Sequence, residues 1–207
     1  MKEYHVEIGK EDFGDFHAAG FPIERIFEES EKELAKGERY YLSSEPNPGS
    51  WFGRKLNEVA SRDLIRNFAY AIDDVNPLWF DAKYAQETRH LGIIAPPTFL
   101  SCIAPSYELA LPGCPYLTGY DAGARWERFC EVHGGDSFVV YDEWKGIEVK
   151  RDHAQEEGPV LITHTLTTYI NQRDEVVALC EGRHIVPTRS LSRRDQFAVR
   201  PPSLQPE

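Results

Sequence analysis

Four long segments of β-type sequence, each bounded by a turn signal, restrict the fold of this chain more than any other feature. They read RWERFCEV (125–132), SFVVYDEWKGIEVKR (137–151), PVLITHTLTTYIN (159–171) and EVVALCEGRHIVP (175–187), separated by HGGD, QEEG and NQRD. Connections this short set consecutive strands side by side and antiparallel. Their alternating and β-branched residues leave one face of the sheet to be covered. The only earlier segment apolar enough to cover it is TFLSCIAPSYELAL, Thr98 to Leu111, started by Pro96 and Pro97 and bent at Pro105. The pattern predicts an α+β fold in which a strongly curved antiparallel sheet wraps a central helix.

Helical signals precede the strands. Pro22 opens PIERIFEESEKELAK, where Ile23, Ile26, Phe27 and Leu34 recur at helical spacing and Gly37 ends the run. Its Glu28, Glu29, Glu31 and Glu33 read as a solvated face rather than a metal site. The Pro-, Ser- and Gly-rich SSEPNPGSWFG that follows is a loop. These signals divide the chain into an N-terminal helical extension and loop (1–49), a main domain (50–187) and a flexible tail (188–207) with few apolar residues. Within the main domain Ser61 caps a helix over SRDLIRNFAYAI, ended by DDVNP, and DAKYAQETRH forms a short second helix.

Charge and cysteine usage narrow the function classes. With 34 acidic against 23 basic residues, a formal charge of −11 disfavours nucleic acid and anionic membranes as partners. No apolar run reaches the roughly 18 residues of a membrane span. Four scattered cysteines, with no C-x-x-C and no signal peptide ahead of them, suit a reducing compartment, so a cytoplasmic protein is expected. Cys130 and His133 have C-x-x-H spacing but no second ligand pair, and no metal is expected.

The chemically informative stretch is NFAYAIDDVNPLWFDAKYAQETRHLGIIAPPTF (67–99). Asp74 follows a helix end, Asn76 and Pro77 fix a tight turn, and Asp81 caps the next helix, so the intervening side chains are held rigidly. Alone, such a D-x-N-P only satisfies turn amides. The ordered run through Tyr84, Ala85, Thr88 and Gly92 to I-A-P-P-T-F, then to ARWERFCEVHGGDSF, goes further. It resembles the hydratase signature of the MaoC-like acyl-CoA dehydratase/hydratase family, nearest its N-terminal, fatty-acid-synthase-like dehydratase domains, over about residues 50 to 187.

The resemblance implies a hotdog fold, assembled as a homodimer or a hetero-oligomer, that takes an acyl-CoA or acyl-carrier thioester. No cofactor is implied, coenzyme A entering as a portion of the substrate. In active members an Asp and a His together hold the water that adds to an α,β-unsaturated acyl thioester. Asp74 and Asn76 match the catalytic motif, but Trp79 stands at the His position, and an indole cannot exchange protons near neutral pH. Amides at the start of the central helix would polarise the thioester carbonyl. Pro96 and Pro97 carry no amide hydrogen, which leaves Thr98 and its successors as donors. Trp79, Thr98 and Phe99 are the expected substrate-binding residues, and His90 is the nearest replacement proton carrier.

Both departures suit the accessory half of a two-subunit hydratase whose shorter hotdog subunit carries the intact Asp/His pair. The rival readings are a non-catalytic subunit that binds or stabilises an acyl thioester, and a hotdog thioesterase. Asp73 receives no catalytic role. Trp51, Trp79, Trp126 and Trp144, with Phe80 and Phe99, are aromatic material for a wide acyl pocket or for the core.

Overall fold

The computed structural model describes residues 21–45, 54–105, 111–112, 119–150 and 159–187. Trp51, Cys114, the QEEG turn and the tail from residue 188 lie outside them. Helix α1 (Ile23–Lys36) is amphipathic as expected: Ile23, Ile26 and Ser30 are buried, while Lys32 pairs with Glu28 and Glu29 on the outer side. Gly37 stops it in the left-handed conformation (φ 59°), returning its amide to the Leu34 carbonyl. Strand β1 (Arg39–Tyr41) follows at once and has no counterpart among the strands expected from sequence.

Strands β2 (Tyr120–Arg128), β3 (Phe138–Lys150), β4 (Val160–Asn171) and β5 (Val176–Pro187) join β1 in one five-stranded antiparallel sheet of order β1-β3-β4-β5-β2. The four expected strands are present. The first begins earlier than RWERFCEV suggests and leaves the sheet after Arg128. A bulge in β3 between Trp144 and Gly146, with Gly146 at φ 109°, breaks the two-residue alternation where the pairing shifts.

Register aligns Asp142 with Thr167, Thr167 with Cys180, and Cys180 with Trp126, one row running across four strands on the covered face. The cover comes from two places. Helix α2 (Arg62–Ala71) and the turn at Phe99–Cys102 supply Ile65, Ala69, Phe99 and Leu100 to the larger core cluster, against Val140 and Tyr169 of the sheet. Helix α1 supplies Ile23 and Ile26 to the second, against Trp144, Ile147 and Leu161. Each such fully buried aliphatic side chain contributes about 1.5–3 kcal/mol relative to exposure. The buried indole of Trp144 donates to Ser30 Oγ (2.8 Å), fixing α1 against the sheet.

The Thr98–Leu111 helix is corrected over its described residues. Phe99–Cys102 is a single 3-10 turn, and residues 103–105 continue without helix; 106–110 lie outside the described residues. Pro105 has no amide for the Ser101 carbonyl, and its ring clashes with that carbonyl in an α-helix, so the first turn cannot propagate. Tyr169 instead donates its hydroxyl hydrogen to the Ala104 carbonyl and pins the segment to β4. Among the described residues, no helix is long and apolar enough to cross a membrane.

Candidate functional site

The D-x-N-P turn is built as a chain of caps. Ser61 Oγ accepts the Leu64 amide at the start of α2 (3.1 Å). At its end the Asp73 amide bonds the Tyr70 carbonyl (3.2 Å) and the Asp74 amide that of Ala69 (2.9 Å), a Schellman motif. Asp73 occupies its left-handed position (φ 54°), where Gly is usual and Asp is tolerated. Its place is thereby structural.

Asp74 Oδ1 then accepts the Asn76 amide (3.0 Å), and Asn76 Oδ1 accepts the Leu78 amide (3.1 Å), capping the 3-10 turn Pro77–Trp79. Asp81 Oδ1 takes the Lys83 and Tyr84 amides and starts α3 (Ala82–Gln86). Asp74 and Asn76 are half-buried, and each spends one oxygen on the turn. Among the described residues the second carboxylate oxygen of Asp74 takes no hydrogen bond.

The I-A-P-P-T-F stretch lies alongside. The Ile94 amide reaches the Leu78 carbonyl (3.4 Å), Ala95 bonds Val132 (2.8 Å), and Gly134 bonds Ile93 (3.0 Å). The two halves of the motif, about fifteen residues apart in sequence, are thus held together through Leu78 and Ile94. Trp79 and Phe99 both enter the larger core cluster; Phe99 is fully buried, its ring edge-on to Phe68 with centroids 5.8 Å apart. Trp79 is 8% exposed, and among the described residues its indole Nε1 has no hydrogen-bond partner. Pro96 is buried, Pro97 and Thr98 are exposed, and the Phe99 amide is spent on the Pro96 carbonyl (3.1 Å). The Thr98 amide, at the start of this turn, keeps its hydrogen free of acceptors among the described residues.

Other sequence candidates lie on or against residues 130–133, which the Ala95–Val132 bond and the Ile94–His133 bridge join to this stretch. His90 Nδ1 sits 2.7 Å from Glu131 Oε1, and His133 Nε2 lies 3.8 Å from the other oxygen of that carboxylate. The adjacent His90 imidazole holds the Glu131 carboxyl below its ordinary range. Cys130 Sγ faces the Val176 carbonyl (3.8 Å), and among the described residues no three His, Cys, Asp or Glu side chains converge as metal ligands. Among the described tryptophans, Trp126 lies against Tyr169 on the larger cluster that holds Trp79, while Trp144 packs under α1 in the second.

The buried polar groups that the motifs do not signal as functional include three in or beside the sheet. Asp136, in the HGGD turn, accepts from the His133 amide, Gln172 Nε2 and Arg173, each at 2.8 Å. Burial pushes its carboxyl up, but the Arg173 bond and the other donors outweigh that and hold it below its ordinary value. Asp142, inside β3, accepts among the described residues only from Thr167 Oγ1 (2.6 Å) and is pushed up to about 7 by burial. Tyr169 is the third, buried in β4 with its hydroxyl on Ala104. The signal for Asp142 is present in the strand alternation, which sets it on the same side as Val140 and Phe138.

The FAS1-like dehydratase domain region matches residues 47–180, which contain both motif segments and the three longest strands up to Cys180. The chain belongs to the FAS1-like dehydratase family. A probable enoyl-CoA hydratase alpha subunit of Thermomonospora curvata is 26% identical over 182 residues, covering 76% of this chain and 55% of the relative. A UPF0336 protein of Parafrankia sp. is 38% identical over 80 residues, 39% of this chain and 48% of that protein. The chain spans about half the length of these relatives. Among solved structures, the ChsH1–ChsH2 complex of Mycobacterium tuberculosis superposes with a TM-score of 0.58 at 17% identity, covering 80% of this chain and 93% of the matched one. At that identity the likeness concerns the fold, and the α+β hotdog architecture of this family member agrees with the expectation from sequence.

Proposed function

We propose that this FAS1-like dehydratase is the acyl-binding half of a two-subunit hydratase/dehydratase of 2-enoyl/3-hydroxyacyl thioesters, completed by a shorter hotdog subunit. The observation that carries the reading is Trp79. A buried indole occupies the position where the family motif needs a proton-exchanging imidazole, beside an Asp74 whose Oδ1 is committed to its own turn. One acid–base partner without the other forfeits about 10²–10⁴ in rate. The alpha-subunit name of the Thermomonospora relative and the two-component name of the ChsH1–ChsH2 complex support a paired assembly.

In this reading the second subunit supplies the Asp and His that add water to the β-carbon of the enoyl thioester and return a proton to the α-carbon. This chain contributes the acyl-facing wall around Trp79 and the Thr98 amide. The substrate brings coenzyme A, and the chemistry asks for no further cofactor. In a mixture with a hotdog subunit bearing D-x-N-P-x-H, Asp74→Asn in this chain is expected to lower 2-enoyl-CoA hydration less than about tenfold, because no imidazole completes its pair. A loss of about 10² or more would place Asp74 in the proton-transfer step and overturn the accessory role.

A further inference from the structure

The indole N–H of Trp79 stands out among the buried polar atoms. Several of these have no hydrogen-bond partner among the described residues, including the hydroxyls of Thr163 and Thr168 and Nδ1 of His184. Hydroxyls rotate and imidazoles exchange tautomers, so each of those groups either donates or accepts as its surroundings demand. Arg128, whose Nε is also unpartnered, is only half-buried, so its guanidinium retains contact with solvent. Trp79 has no such latitude. Its Nε1 is donor-only, its side chain is more than nine-tenths buried, and among the described residues nothing accepts its hydrogen.

A buried donor without an acceptor is costly, and native structures leave few of them. The cost is offset where the acceptor arrives with a ligand. Trp79 belongs to the turn that Leu78 and Ile94 join to the I-A-P-P-T-F segment, where Pro96 and Pro97 have removed two amide donors. We propose that the Trp79 indole N–H is a substrate-positioning donor that binds the carbonyl oxygen of an acyl thioester. The inference rests on the acyl-binding reading above and deepens it. The acyl end of such a ligand offers one acceptor of suitable strength, the thioester carbonyl. The residue that blocks proton exchange then orients the substrate for the partner's water.

The test uses the full chain labelled with ¹⁵N. The Trp79 indole resonance is assigned by its loss in Trp79→Phe, which keeps an aromatic ring and deletes the donor. Saturated acyl-CoAs from butyryl- to palmitoyl-CoA are titrated, with the matching S-alkyl-CoA thioethers, which lack the carbonyl. The acyl-CoAs are expected to move the indole proton downfield, the thioethers to leave it in place, and Trp79→Phe to weaken acyl-CoA binding about tenfold, as for one neutral hydrogen bond. Acyl-CoA binding with an unmoved indole resonance and full affinity in Trp79→Phe overturns the inference and leaves the proposed function standing. Failure of the parent chain to bind any acyl-CoA overturns both.

Discussion

Asp142→Asn is expected to raise the unfolding free energy at pH 8 by several kcal/mol and to change it little at pH 3.5. Asp142 is 1% exposed in the middle of β3, and its one resolved donor is the Thr167 hydroxyl. Burial, with the neighbouring Glu143 charge adding to it, outweighs that bond and lifts the carboxyl from 3.8 to about 7. The folded state therefore keeps a proton that the unfolded chain releases above pH 4. Stability falls as pH rises through this window, by about 1.4 kcal/mol per unit for this group, and levels off above pH 7. Asparagine keeps the oxygen that accepts from Thr167 and removes the ionisation. Asp136, held below its ordinary value by Arg173 and its other donors, acts with the opposite sign, and its contribution is lost as pH falls into the carboxylate range. Urea unfolding of parent and Asp142→Asn at half-unit pH steps checks the account; parallel curves between pH 4 and 7 would contradict it.

Phe99→Ala is expected to cost about 3–5 kcal/mol, whereas Thr98→Ala, one residue earlier, should stay within about 0.5 kcal/mol. Phe99 is wholly buried, edge-on to Phe68 of α2, in the same cluster as Trp79; Thr98 is exposed. The 3-10 turn is too short to hold itself, so its place depends on the Phe99 and Leu100 side chains and the Tyr169–Ala104 bond. Emptying the Phe99 site loosens the turn that presents the Thr98 amide, and acyl-thioester affinity should fall with stability. Denaturant midpoints measured beside acyl-CoA titrations of the two variants give the comparison.

The strands are legible in the sequence because Val, Ile and Thr alternation and the turn residues of HGGD and NQRD act locally. The Asn171 side chain caps its turn as that composition implies, accepting the Arg173 and Glu175 amides. The D-x-N-P turn is legible for the same reason, since Asp74, Asn76 and Asp81 each bond amides two or three residues ahead. The helix expected from Thr98 fails because an apolar run between prolines looks helical by composition alone. Its backbone is decided instead by Pro105 and by Tyr169, more than sixty residues away. Strand β1 is three residues long and exists only through its pairing with Tyr141, Asp142 and Glu143. The unpartnered state of Trp79 Nε1 is likewise invisible in sequence, being set by everything packed around the ring.

The accessory role is tested most directly by hydration of a 2-enoyl-CoA with this chain alone and then mixed with a hotdog subunit carrying D-x-N-P-x-H. The account predicts negligible turnover by the chain alone and, on mixing, a rise of at least about 10² over this chain, together with a change over the second subunit in the acyl groups accepted. Robust hydration by this chain alone would contradict it.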